Sequence, residues 1–207
     1  MPPVTVRVAG TNRAMTMEGM CSDSIDPGPR PGCAMHDATR PAPWTESRPT
    51  GGKAGLYRDL AEELDALLTG ETDATANAAN AAAAIYHTLP RLNWVGFYFL
   101  RDDTLVLGPF QGRPACVRIA VGSGVCGTAA RQRRSVLVPD VEQFRGHIAC
   151  DIASRSELVV PLLRDGGILG VLDLDSPDLA RFDAEDQSGC EALAAIVVRH
   201  LARSVLC

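Results

Sequence analysis

Two apolar runs, residues 158–163 and 168–174, stand on either side of the triplet Asp165-Gly166-Gly167. No other feature restricts this chain as strongly. Runs rich in Leu, Val and Ile form strands, and an Asp-Gly turn between two of them closes a hairpin. The second strand opens as a continuous apolar stretch, which makes it central in its sheet. Its end alternates as Leu172-Asp173-Leu174-Asp175. That alternation sets both carboxylates on one face and both leucines on the other.

The segments around the hairpin fill in the fold. Leu56, Leu60, Leu64, Leu67 and Leu68 recur at helical spacing with acidic residues between them, and Gly70 ends the helix. Asp73 caps a second, alanine-rich helix over 74–89, stopped by Pro90. Strands follow over 93–100, 104–107 and 116–121, then a short helix over 127–134 and a short strand over 136–138. A last helix runs from near Asp183 to about residue 204. Two helices, antiparallel strands with one helix inserted, and a closing helix make an α+β fold. The expectation is a single domain, a central antiparallel sheet flanked by helices.

That domain occupies residues 54–207. Eight of the fourteen prolines lie in residues 1–53, including Pro27, Pro29 and Pro31 within six residues. The segment has one aromatic residue, Trp44, and no apolar period. Such a sequence buries too little apolar surface to offset its ordering entropy, so it is expected to be a disordered extension. The net charge of −5 offers no basic surplus for nucleic acid. No run approaches the roughly 18 apolar residues of a membrane helix. No apolar secretory h-region opens the chain, and a cytoplasmic location is expected.

Seven cysteines are present, with no C-x-x-C pair. Cys21 and Cys33 fall in the extension, Cys207 is terminal, and Cys190 lies near the apolar stripe of the last helix, where a thiol is core filler. Cys116, Cys126 and Cys150 differ, because each sits where a loop meets an element. Cys126 lies in a turn entering a helix, whose free backbone N–H groups favour a thiolate. Glu157 opens the first hairpin strand, seven residues after Cys150. An acid beside a thiol can donate a proton to an oxygen leaving group. Asp173 and Asp175 suit an ammonium group, or else mark a strand emerging into a solvated turn. Three thiols with His147 could ligate zinc, but their spacings of 10 and 24 lack the short pairs of structural sites, so no metal is expected. Gly122, Gly124 and Gly127 spell G-x-G-x-x-G, yet no βαβ unit follows and no dinucleotide cofactor is expected.

Six segments together are specific: Asn93-Trp94-Val95-Gly96-Phe97-Tyr98, Gln111-Gly112-Arg113-Pro114-Ala115-Cys116, Gly122-Ser123-Gly124-Val125-Cys126-Gly127-Thr128-Ala129-Ala130, Gly146-His147-Ile148-Ala149-Cys150-Asp151, Ser156-Glu157-Leu158-Val159-Val160-Pro161 and Gly170-Val171-Leu172-Asp173-Leu174-Asp175-Ser176. This pattern resembles the free methionine-(R)-sulfoxide reductases, enzymes built on one GAF domain. Arg145 departs from it, since a proline is usual after Phe144. The resemblance implies that Cys150 attacks the sulfoxide sulfur and becomes a sulfenic acid. Cys116 would resolve that acid as a disulfide, which thioredoxin reduces, with Cys126 as an alternative partner. Glu157, Asp173 and Asp175 would hold the ammonium and help protonate the sulfoxide oxygen. Trp94 and Tyr98 would wall the methyl-sulfur end. No cofactor is implied, and a homodimer is compatible. The alternative is a GAF module without catalysis that senses a small molecule or the redox state.

Overall fold

The computed structural model describes residues 51–148 and 153–201. The expected disordered extension, apart from its last three residues, lies outside the described residues, and so does Cys150. Four helices are described: α1 Gly52–Leu68, α2 Ala74–Thr88, α3 Gly124–Gln132 and α4 Ala184–His200. Six strands accompany them: β1 Trp94–Arg101, β2 Thr104–Gln111, β3 Arg118–Ala120, β4 Val136–Val138, β5 Ser156–Arg164 and β6 Gly167–Ser176. They form one antiparallel sheet in the order β3-β2-β1-β6-β5-β4. The hairpin β5–β6 is therefore central, as its apolar runs require.

Register divides the chemistry of the two sheet faces. Leu172 and Leu174 of β6 lie opposite Phe97 and Val95 of β1, and opposite Val160 and Leu158 of β5. All six are buried with residues of α1, α2 and α4 in the larger core. Burying a side chain of this size contributes roughly 1.5–3 kcal/mol. The alternate residues face the other way. There Trp94, Tyr98, Val159 and Val171 pack with Val125, Cys126 and Ala129 of α3. Asp173 and Asp175 belong to this second face, separated from the leucines as the alternation predicts.

Strand β3 is shorter than the expected 116–121 and leaves Cys116 before it, α4 ends at His200 and not near residue 204, and three further elements differ from expectation. Helix α1 begins at Gly52, before the leucine stripe, and carries Lys53 in its first turn. The Lys53 ammonium lies 2.7 Å from the carboxylates of both Asp183 and Asp186. Asp183 caps α4 in a capping box with Asp186. Asp186 is fully buried, and Tyr57 and Arg181 donate to it at 2.8 and 3.0 Å. These partners offset the cost of burying its charge. Strand β2 continues past Gly108-Pro109, where a bulge opposite β1 absorbs the proline. Helix α3 starts at Gly124 and not Gly127, which draws Cys126 into its first turn. A Cβ on Gly127 would stand 2.4 Å from the Ala120 carbonyl oxygen. This glycine lets α3 seat against β3, so helix packing accounts for part of the glycine pattern without any phosphate.

Candidate active site

The second sheet face holds two neighbouring rows of residues. Glu157, Asp175 and Trp94 lie side by side across β5, β6 and β1, and Val159, Asp173 and Gly96 form the next row. Glu157 and Asp173 are thus diagonal neighbours across a strand pair, within reach of one another. Helix α3 lies above them and presents Cys126. The Cys126 Sγ and a carboxylate oxygen from each of Glu157 and Asp173 all lie within 4.8 Å of one another. These three groups line a cavity together with Asp175, His147 and Ser154, and Ile119, Val125 and Ile148 supply its apolar wall. The Ser154 hydroxyl accepts from the Asn93 side chain at 3.0 Å.

Burial governs the charges here. Cys126, Glu157 and Asp173 are only 3%, 6% and 7% exposed. Desolvation, reinforced by Asp173 and Asp175, lifts the Glu157 carboxyl well above the usual carboxylate range. Asp173 is also pushed up, to about 6, by burial, while hydrogen bonds with Cys126 and Glu157 oppose the rise. Burial thus favours the protonated form of both carboxyls, and a proton held between Glu157 and Asp173 relieves the repulsion of the pair. Burial and the neighbouring Asp173 and Glu157 also raise Cys126 well above an ordinary thiol. The helix start predicts the reverse. Its partial positive charge is outweighed by desolvation and two acids, so Cys126 remains a thiol. His147 is lowered by burial and stays neutral. Its Nε2 stands 3.7 Å from Glu157, a contact between two neutral groups and not an ion pair. One Asp173 oxygen, Oδ1, is buried without a hydrogen-bond partner. Such an atom costs about 1–3 kcal/mol unless a ligand satisfies it.

Trp94 and Tyr98 share this face but are not among the described residues lining the cavity. Both are buried, and the Trp94 ring stacks on Tyr98 and Phe110 at 6.0 and 5.4 Å. Gly96 makes room for this arrangement, since a Cβ there would meet the Trp94 ring at 2.3 Å. The two aromatics hold the loop that carries Cys116. Trp94 Nε1 donates to the Arg113 carbonyl at 3.0 Å, and the Tyr98 hydroxyl donates to the Cys116 carbonyl at 3.1 Å. Cys116 itself is half-buried and precedes β3. Cys190 is fully buried beside Tyr57, its thiol pushed up to about 12 by burial, as suits core filler.

The fold thus gathers Cys126, Glu157, Asp173 and Asp175 around one cavity and sets Trp94, Tyr98 and Cys116 at its side. Ser154 and the pairing of His147 with Glu157 escape a sequence reading. Ser154 belongs to the short polar run Ser154-Arg155-Ser156, and no periodicity separates it from its neighbours.

A curled six-stranded sheet with helices on one side and a buried polar cavity under a short helix on the other is a GAF architecture. The GAF domain family model matches residues 69–202. The free methionine-R-sulfoxide reductase of Escherichia coli K12 is 51% identical over 150 residues, covering 72% of this chain and 91% of that protein. The free methionine-R-sulfoxide reductase of Saccharomyces cerevisiae is 41% identical over 153 residues, covering 70% and 85%. The X-ray structure of free methionine-R-sulfoxide reductase from Neisseria meningitidis, in complex with its substrate, superposes with a TM-score of 0.70 at 45% identity, covering 73% and 91%. The chain belongs to the free methionine-R-sulfoxide reductase family of GAF domains. Among the described residues no helix is long and apolar enough to cross a membrane.

Proposed function

We propose that this protein reduces free methionine-R-sulfoxide to methionine by thiol chemistry at this cavity. The observation that carries the reading is the buried cluster of Cys126, Glu157 and Asp173, which lines one cavity with Asp175 and whose Glu157 carboxyl is raised by burial. A sulfoxide needs a proton on oxygen as its S–O bond breaks, and Glu157 is the acid for that step. The substrate ammonium needs anionic acceptors, and Asp173 and Asp175 provide them. Peptide-bound methionine lacks that ammonium and would leave the acceptors unpaired.

Cys150, assigned from the sequence pattern, attacks as thiolate. The sulfoxide oxygen passes to its sulfur, one proton is taken up, and methionine leaves with Cys150 as a sulfenic acid. The Cys116 thiol then attacks that sulfur. A disulfide forms and water departs. A dithiol reductant of the thioredoxin class returns both cysteines to thiols. Cys126, held protonated by its acidic neighbours, is a poor attacker in this state. It borders the site and remains an alternative disulfide partner.

The test is an NADPH-coupled assay with thioredoxin and its reductase. Free methionine-R-sulfoxide should be turned over, and its N-acetylated form should be a poor substrate. Equal reduction of both would remove the ammonium from the account. Absence of turnover on either, with a redox-dependent change in the fold, would favour the sensing module.

A further inference from the structure

Cys126, Glu157 and Asp173 bring a soft sulfur and two hard oxygens together from α3, β5 and β6, each within 4.8 Å of the others. His147 Nε2 approaches the same Glu157 carboxylate at 3.7 Å and lines the same cavity. We propose that these four residues form a binding site for a zinc-type divalent cation, and that the cation competes with the substrate for the cavity. The competition clause rests on the proposed reductase function, whereas the metal site itself does not.

A thiol beside two acids could be a coincidence of packing. A second observation points to a ligand. Asp173 Oδ1 is buried without a partner, on a residue that is 93% buried by its 7% exposure and lines the cavity. An orphaned acceptor in such a place calls for a donor or a cation. The donor set selects the metal. Sulfur, imidazole and carboxylate together suit zinc, which binds them at about 2.3, 2.0–2.1 and 2.0–2.2 Å in a tetrahedron. Ligand atoms in such a tetrahedron stand roughly 3.3–3.7 Å apart, so closing Cys126, Glu157 and Asp173 around the ion takes a shift of about 1 Å, and His147 Nε2 already stands 3.7 Å from Glu157. Calcium and magnesium prefer all-oxygen shells and are disfavoured by the thiol. Binding forms Zn–S, Zn–N and Zn–O bonds, releases the Cys126 thiol proton and any proton shared by the carboxyls to solvent, and changes no oxidation state. A dication and the substrate ammonium satisfy the same carboxylates, so one excludes the other.

The experiment is isothermal titration of the full chain with zinc alone, kept reduced by a non-thiol phosphine, in two buffers of different ionisation enthalpy. The expected result is one zinc per chain with proton release. Cys126→Ala and Asp173→Asn, each checked for an intact fold by circular dichroism, should weaken binding more than about a hundredfold, beyond the loss typical of an outer-shell partner. Saturating free methionine should also weaken it. Zinc binding that survives both substitutions but disappears in a Cys116→Ser/Cys150→Ser double variant would overturn the proposal, placing the metal on the loop thiols. No binding at micromolar zinc would overturn it as well. Binding that depends on Cys126 and Asp173 yet ignores methionine would keep the metal site, overturn the competition and count against the assigned substrate pocket.

Discussion

Replacing Asp173 with asparagine should stabilise the protein while harming its chemistry. The carboxyl sits near pKa 6 in the fold, against 3.8 ordinarily. One unit corresponds to about 1.36 kcal/mol, so holding Asp173 ionised costs the folded state on the order of 3 kcal/mol. The sign follows from proton counting. Between 3.8 and about 6 the folded chain binds more protons at this group than the unfolded chain does. Stability therefore falls as pH rises through that window, and the whole penalty is present above it. Asparagine keeps the shape and carries no charge at any pH. Its advantage should reach about 3 kcal/mol near pH 7.5 and roughly half of that near pH 5. Urea unfolding followed by circular dichroism measures both. A variant that is no more stable than the parent near pH 7.5, or whose advantage widens in acid, would refute the burial argument. The same substitution should lower catalytic efficiency roughly ten- to a hundredfold, because a charge-assisted hydrogen bond to the ammonium is worth about 1.5–3 kcal/mol.

The remaining expectations concern pH, acid catalysis and the start of the fold. The profile of kcat/KM should fall on the acid side with an apparent pKa near 6, as Asp173 takes up its proton, and this limb should vanish in Asp173→Asn. A limb unmoved by the substitution would assign it to another group. Glu157→Gln should fold normally and lose about a hundredfold or more in kcat, the usual yield of a positioned acid. An unchanged kcat would take Glu157 out of proton transfer. Lys53→Ala should lower stability by about 1–2 kcal/mol, since Asp186 loses one charged donor and keeps Arg181 and Tyr57. Removal of residues 1–50 should leave the melting temperature in place, and a drop would show that the extension packs on the domain.

Much of this fold is legible in the sequence because local rules and tertiary packing agree. The runs of β5 and β6, the Asp73 cap, and the split between Leu172/Leu174 and Asp173/Asp175 all follow from periodicity and turn chemistry. Legibility fails where packing overrules a local signal. Gly108-Pro109 reads as the end of a strand, but a bulge carries β2 through it. Gly122-Ser123-Gly124 reads as a turn, yet α3 already begins at Gly124. Lys53 reads as the end of an extension, whereas a buried aspartate more than a hundred residues away draws it into a helix. The site is legible by residue type and not by arrangement. That Cys126 and Glu157 are acids to be counted in the sequence is plain. That they share one buried cavity with Asp173, and so are both raised by burial and by its charge, depends on the register of β5 against β6 and on the placement of α3.

The central claim is that one thiol in this set attacks the sulfoxide and another resolves the product. The direct measurement is the yield of methionine in a single turnover, with pre-reduced protein, free methionine-R-sulfoxide and no external reductant, quantified by mass spectrometry. A stoichiometric yield is predicted for the parent protein and for Cys116→Ser, the latter unable to be recycled by thioredoxin, and none is predicted for Cys150→Ser. A full yield from Cys150→Ser would contradict the account and move the attacking role to another thiol, with Cys126 the first to test.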